Sequence, residues 1–204
     1  MHVMRRFVTG GLVLFALALA VVSAPAAYAA AATPASGTAQ TLTPPPLPNA
    51  ICQTTGSGIF CHGDLTFSDN FDSGVSCGTF DILISDTGTA TYELHYSSAG
   101  LGLEARTLTN SQGTFINSVT GKIIGNDSHF SATADLATPG DPRTATVTIT
   151  GAAGIATGQS IGLVAHDVGK VVFGPGGNIL FEAGPHNSID NFPAFVQAIC
   201  AALS

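Results

Sequence analysis

Between residues 79 and 182 the chain keeps returning to one pattern: four to eight residues rich in Thr, Val, Ile, Phe and Tyr, followed by a break of Gly, Asn, Asp or Pro. Alternation with period two sends successive side chains to opposite faces, which suits a half-buried strand and not a helix. Segments 79–86, 89–96, 114–119, 129–136 and 144–150 carry it. Turn signals separate them at Asp86-Thr87-Gly88, Thr120-Gly121, Asn126-Asp127 and 138–142. Spacing this close pairs neighbouring strands antiparallel, as a meander. Segments 170–173 and 178–182 flank Gly174-Pro175-Gly176-Gly177, whose glycines accept the positive φ of a hairpin loop.

One stretch departs from period two. Over 189–203, Phe192, Phe195, Val196, Ile199 and Leu203 recur at spacings of three and four, with Asn191 placed to cap and Pro193 in the first turn. The fold class expected is therefore all-β, eight to ten short antiparallel strands with one C-terminal helix. Such strands hide their edges by closing into a small β-barrel or by stacking as a β-sandwich. The glycines of 151–162 suit the bends of a closing sheet and favour the barrel.

The ends of the chain bear on compartment. Arg5 and Arg6 precede an apolar run from Leu12 to Val22 and the small-residue site Ala27-Tyr28-Ala29, so residues 1–30 read as a secretory signal peptide. The run is shorter than the roughly 20 residues a spanning helix needs, and no comparable run follows. Residues 31–50 are mostly Ala, Thr and Pro and end near Pro44-Pro45-Pro46; they read as a disordered linker. The single domain expected is 51–204. Loss of Arg5 and Arg6 leaves four of six basic residues against 13 acidic ones, moving the net charge from −7 to −9. Four scattered cations cannot track a phosphate backbone, which excludes nucleic acid and disfavours anionic membranes as partners.

Cys52, Cys61, Cys77 and Cys200 are an even set in an exported chain and point to two disulfides, with three connectivities to choose from. Cys52 with Cys61 would clip a short hairpin, and Cys77 with Cys200 would pin the helix to an early strand. No C-x-x-C is present, so a cysteine metal site is not expected.

Three groups of residues could carry chemistry. Gly158-Gln159-Ser160-Ile161-Gly162 matches the G-x-S-x-G of hydrolases, but that elbow needs a helix after it, and 163–173 reads as strand. Glu93 and His95 share one strand face, opposite Tyr92, Leu94 and Tyr96. If the tyrosine side is core, they are solvated; if the polar side lines a lumen, they could bind a ligand together with Arg106. His166, Asp167, Glu182 and His186 are brought to one edge by the 170–182 hairpin and are further ligand candidates. Their spacing is not that of a zinc site, and no cofactor is implied. Asp69-Asn70-Phe71-Asp72-Ser73-Gly74 suggests an Asx-type turn more than a calcium loop.

At Cys77-Gly78-Thr79-Phe80-Asp81, at 117–122, and from Asp167 through His186, the chain resembles a group of secreted β-rich actinobacterial proteins of unknown function. The resemblance implies a cysteine before an early strand and another in a terminal helix, in keeping with Cys77 and Cys200, and implies no activity. Function is expected to be non-catalytic binding of a small apolar or amphipathic ligand. An extracellular surface domain with a protein or cell-wall partner is the alternative, and an acid-base lyase or isomerase in a barrel is the second alternative.

Overall fold

The computed structural model describes residues 41–204, so the expected signal peptide and the first half of the linker, 31–40, lie outside the described residues. Eight strands follow in chain order: β1 Ile51–Thr55, β2 Gly58–Ser76, β3 Asp81–Ser97, β4 Gly102–Asn117, β5 Ile123–Leu136, β6 Ala145–Gly158, β7 Gly162–Phe173 and β8 Ile179–Ala183. All belong to one antiparallel sheet in which each strand pairs with its sequence neighbour. Two helices end the chain, α1 Asn187–Asp190 and α2 Phe192–Leu203.

The meander is as expected, but its strands are fewer and longer. Segments 79–86 and 89–96 are one strand, because Asp86, Thr87 and Gly88 stay in the ladder opposite Asp69, Ser68 and Phe67. Gly88 is there for close approach and not for a turn: a Cβ on it would come within 2.3 Å of the Asn110 carbonyl oxygen and 2.7 Å of the Phe67 ring. Asn126 and Asp127 likewise remain inside β5. Gly176 and Gly177, both with φ of 86°, make the expected β7–β8 turn.

The sheet is not closed. β1 and β8 have no ladder with each other, and each is only five residues long. Both edges are thus too short to zip together, and short edges are a common way to blunt a sheet. With one sheet there is no sandwich either. The sheet nevertheless curls, since β2 and β7, which are not neighbours, line the same cavity.

Period two decides what the inner face holds. Ile82, Ala90, Tyr92, Leu94 and Tyr96 of β3 are buried, as are Ala132 and Ala134 of β5 and Val171 and Phe173 of β7. At one end of this face Tyr92, Leu94, Tyr96, Ala105, Val147 and Phe173 form a cluster, and Leu42, Leu47 and Ala50 pack against it. Residues 41–50, expected to be disordered, are therefore part of the fold. The Tyr96 and Tyr92 hydroxyls donate to the carbonyls of Pro44 and Pro48, both at 3.0 Å, and Thr43 exchanges backbone bonds with Gly100 and Gly102 at 2.8 Å. A proline-rich segment carries carbonyls with few competing N–H groups, and buried phenols need acceptors. Burial, with Tyr92 alongside, holds the Tyr96 hydroxyl protonated far above the ordinary tyrosine range.

At the other end α2 supplies the cover. Ile199, Ala202 and Leu203 are buried with Phe80, Ile82, Ile124, Ala156 and Ala165. Asn191 caps α2 by accepting from the Ala194 amide at 3.2 Å, as the sequence suggests, and Pro193 sits in the first turn. The buried Asn117 amide donates to the Leu203 carbonyl at 3.2 Å, satisfying one of the helix's free C-terminal acceptors. Both expected disulfides form: Cys52–Cys61 joins directly opposed residues of β1 and β2, and Cys77–Cys200 ties α2 to the segment between β2 and β3.

Sequence separations of 9 and 123 make the two bonds unequal in their constraint on the unfolded chain, roughly 3 against roughly 5 kcal/mol in the loop-entropy account. The Cys77→Ser, Cys200→Ser double variant should therefore lose more stability in urea unfolding than the Cys52→Ser, Cys61→Ser pair. Equal losses would mean that the long bond contributes little beyond the local one.

Candidate functional site

Between the two end clusters the inner face is not filled. A cavity of about 420 Å³ lies there, walled by β2 to β7, α1 and α2. Its apolar wall is aromatic: Phe67 and Phe71 from β2, Phe115 from β4, Phe130 from β5, and Phe192 and Phe195 from α2. Small residues, Gly154, Ala156 and Ala165, occupy the β6 and β7 wall and leave the space open. Shape and chemistry together are those of a small-molecule pocket, mostly apolar with a few convergent polar groups.

The polar groups come from positions where the inner face of a strand carries a hydrophilic residue. In β2 the inward series Leu65, Phe67, Asp69, Phe71 is interrupted by Asp69, and in β3 the series Ile82, Ile84, Asp86 ends on Asp86 before Gly88 and Ala90. Asp69 and Asp86 are directly opposed across the two strands. Thr109 and Ser111 of β4 are buried beside them, and Asn126 of β5 completes the set. Asp69 is exposed, whereas Asp86 is partly buried and its Oδ1 is shielded with no hydrogen-bond partner. Burial is the main force pushing the Asp86 carboxyl above the usual carboxylate range, and the Asp69 charge adds to it. The Ser111 hydroxyl and the Thr87 amide offset this only in part.

Of the seven sequence candidates, two reach the cavity. His166 and Asp167 of β7 line it. Asp167 is buried and already satisfied, accepting from the Ser188 amide at 2.9 Å and the Ser188 hydroxyl at 2.5 Å, while the His166 amide donates to Asn187 at 2.8 Å. Those bonds dock α1 on β7. His186 is brought beside Asp167 by a β-bridge, and its amide donates to Asp190 at 3.2 Å. Glu182 is at the same corner, where burial first, then the neighbouring Asp190 and Asp167, raise its carboxyl, with His186 opposing. Asp167, Glu182 and His186 share this corner, next in the chain to His166, and the hydrogen bonds there serve the corner. Among the described residues no three His, Cys, Asp or Glu side chains are grouped to hold a metal ion.

Glu93, His95 and Arg106 are elsewhere. The tyrosine side of β3 is the core, which leaves Glu93 exposed and His95 half-exposed on the outer face, with the His95 ring edge-on to Phe60 at 5.0 Å. Arg106, opposite Glu93 in the register, pairs with Glu104. The G-x-S-x-G run is the exposed loop between β6 and β7, with no helix after it. Asp72 accepts from the Gly74 amide at 2.8 Å, the Asx-type turn expected there.

Sequence reasoning gave no cavity role to Asp86 and Asn126, read as turn residues, to Asp69, read in an Asx-type turn, or to Ser111 and the phenylalanines. A carboxylate on the apolar face of each of two strands was the available signal. No family model, curated protein or solved structure matches the chain.

A raised carboxyl in the native state withholds stability above its native pKa and withholds none below the ordinary value of 3.8, where both states are protonated. Asp86→Asn should thus raise the thermal midpoint at pH 7, with the gain gone near pH 3. A loss of stability at pH 7 would contradict the desolvated placement of Asp86.

Proposed function

We propose that the chain is an exported, non-catalytic binding protein whose curled sheet holds one small amphipathic ligand. The observation that carries this is the aromatic cavity of about 420 Å³ between the sheet and α2. At interior packing density such a space accommodates about 15 non-hydrogen atoms. Two disulfides fit an oxidising compartment, and no helix among the described residues is long and apolar enough to cross a membrane. The resemblance to secreted actinobacterial proteins points the same way. Catalysis has less support, since the Ser188 hydroxyl and the Asp167 carboxylate in the cavity wall are engaged with each other in docking α1, and no histidine ring is hydrogen-bonded to a hydroxyl there among the described residues.

One observation favours the alternative, an extracellular interaction domain. The edge strand β8 exposes Ile179, Leu180 and Phe181 in succession, and Ile161 and Leu163 are exposed at the start of β7.

The binding reading is tested with N-phenyl-1-naphthylamine, whose fluorescence rises on leaving water. Gly154 is the position for the control, because a Cβ there meets nothing nearer than the Asn126 Oδ1 at 3.5 Å, so Gly154→Phe projects into the cavity without striking backbone. The oxidised protein should bind the probe saturably, and Gly154→Phe should weaken binding by about tenfold or more, about 1.4 kcal/mol. Unchanged binding in that variant would place the probe on the outer β8 patch and favour the interaction reading.

A further inference from the structure

The cavity is unusual in its charge. Among the described residues three carboxylates, Asp69, Asp86 and Asp167, line it beside His166, and no Lys or Arg does. Three of the four described Lys and Arg residues are engaged elsewhere, Arg106 with Glu104, Arg143 with Asp141, and Lys170 over the Phe181 ring, and Lys122 does not line the cavity. Like charges placed directly across a pair of strands repel, and Asp69 and Asp86 are so placed. Asp167 has its partner in Ser188, but Asp86 keeps a shielded oxygen with none. A positive charge brought by a ligand would offset both the repulsion and the burial of the Asp86 carboxylate. The three acids do not group as metal ligands. What surrounds them instead is phenylalanine, whose ring faces attract organic cations.

Resting on the binding reading above, we propose that the ligand is an amphipathic amine. Its protonated nitrogen is seated at Asp86, with Asp69 at the mouth, and its apolar body lies against Phe67, Phe115, Phe130 and Phe195. An ammonium pairs with the Asp86 carboxylate, relieves the repulsion between the two aspartates and carries its alkyl or aryl part out of water in one step. An anionic amphiphile of the same size meets three carboxylates and is rejected. A neutral alcohol gains the apolar contacts without the charge.

Three probes with one ten-carbon chain separate these cases: decylamine, decan-1-ol and decanoate, each titrated calorimetrically into the oxidised protein at pH 7. Decylamine should bind about tenfold or more tighter than decan-1-ol, as a charge-assisted hydrogen bond implies, with decanoate weakest. Asp86→Asn should cost decylamine far more than decan-1-ol, so that the amine's advantage collapses; a melting curve of the variant verifies its fold. If the variant does not fold, the ranking of the three probes by the unaltered protein decides alone. Equal binding of amine and alcohol, or preference for decanoate, overturns the amine assignment and leaves the apolar binding reading in place. Failure of all three to bind overturns both.

Discussion

A single antiparallel sheet makes one apolar face and has no second layer to bury it. That shortage governs the rest of this structure. The face curls on itself, and what remains open is covered by the two ends of the described chain, residues 41–50 at the tyrosine end and α2 at the other. The covers are fastened by different means. Phenol hydroxyls hold the proline-rich segment through Pro44 and Pro48, and the Cys77–Cys200 bond with the Asn117 amide holds the helix. α2 walls the middle without filling it, and the cavity is the part of the inner face that no segment of the described chain fills.

The character of that unfilled part follows from which residues the inner positions carry. Where a cover arrives, they are Tyr, Leu, Val, Ile and Ala; in the middle they become Asp69, Asp86, Thr109, Ser111 and Asn126. Polar groups there cost folding free energy unless something pairs with them. Their placement against phenylalanines, with one Asp86 oxygen unpartnered, is the kind of local inconsistency that a fold tolerates at a site and rarely elsewhere.

Much of the architecture is legible in the sequence. Alternation and turn residues yield the antiparallel order, the 3.6-residue spacing yields α2, and cysteine parity with spacing yields both disulfides. What misleads is glycine and aspartate read as punctuation: at Asp86-Thr87-Gly88 they continue a strand, because the close approach of Asn110 and Phe67 demands a residue without a side chain. Closure was not legible, since it turns on how far the short edges β1 and β8 extend. Proline content concealed the packing of 41–50, whose bonds are to residues some 50 positions onward. In the site, the His166 to His186 corner was legible from the hairpin, whereas Asp86 and Asp69 needed the facing of two long strands to be known together.

The most direct test of the account is native mass spectrometry of the oxidised protein purified from culture supernatant. The account predicts a mass in excess of the polypeptide with two disulfides, lost on denaturation, and belonging to a small organic amine. A bare polypeptide mass that gains nothing when such amines are added would contradict it, and would leave the cavity as a packing gap in a sheet whose exposed β8 edge has a protein partner.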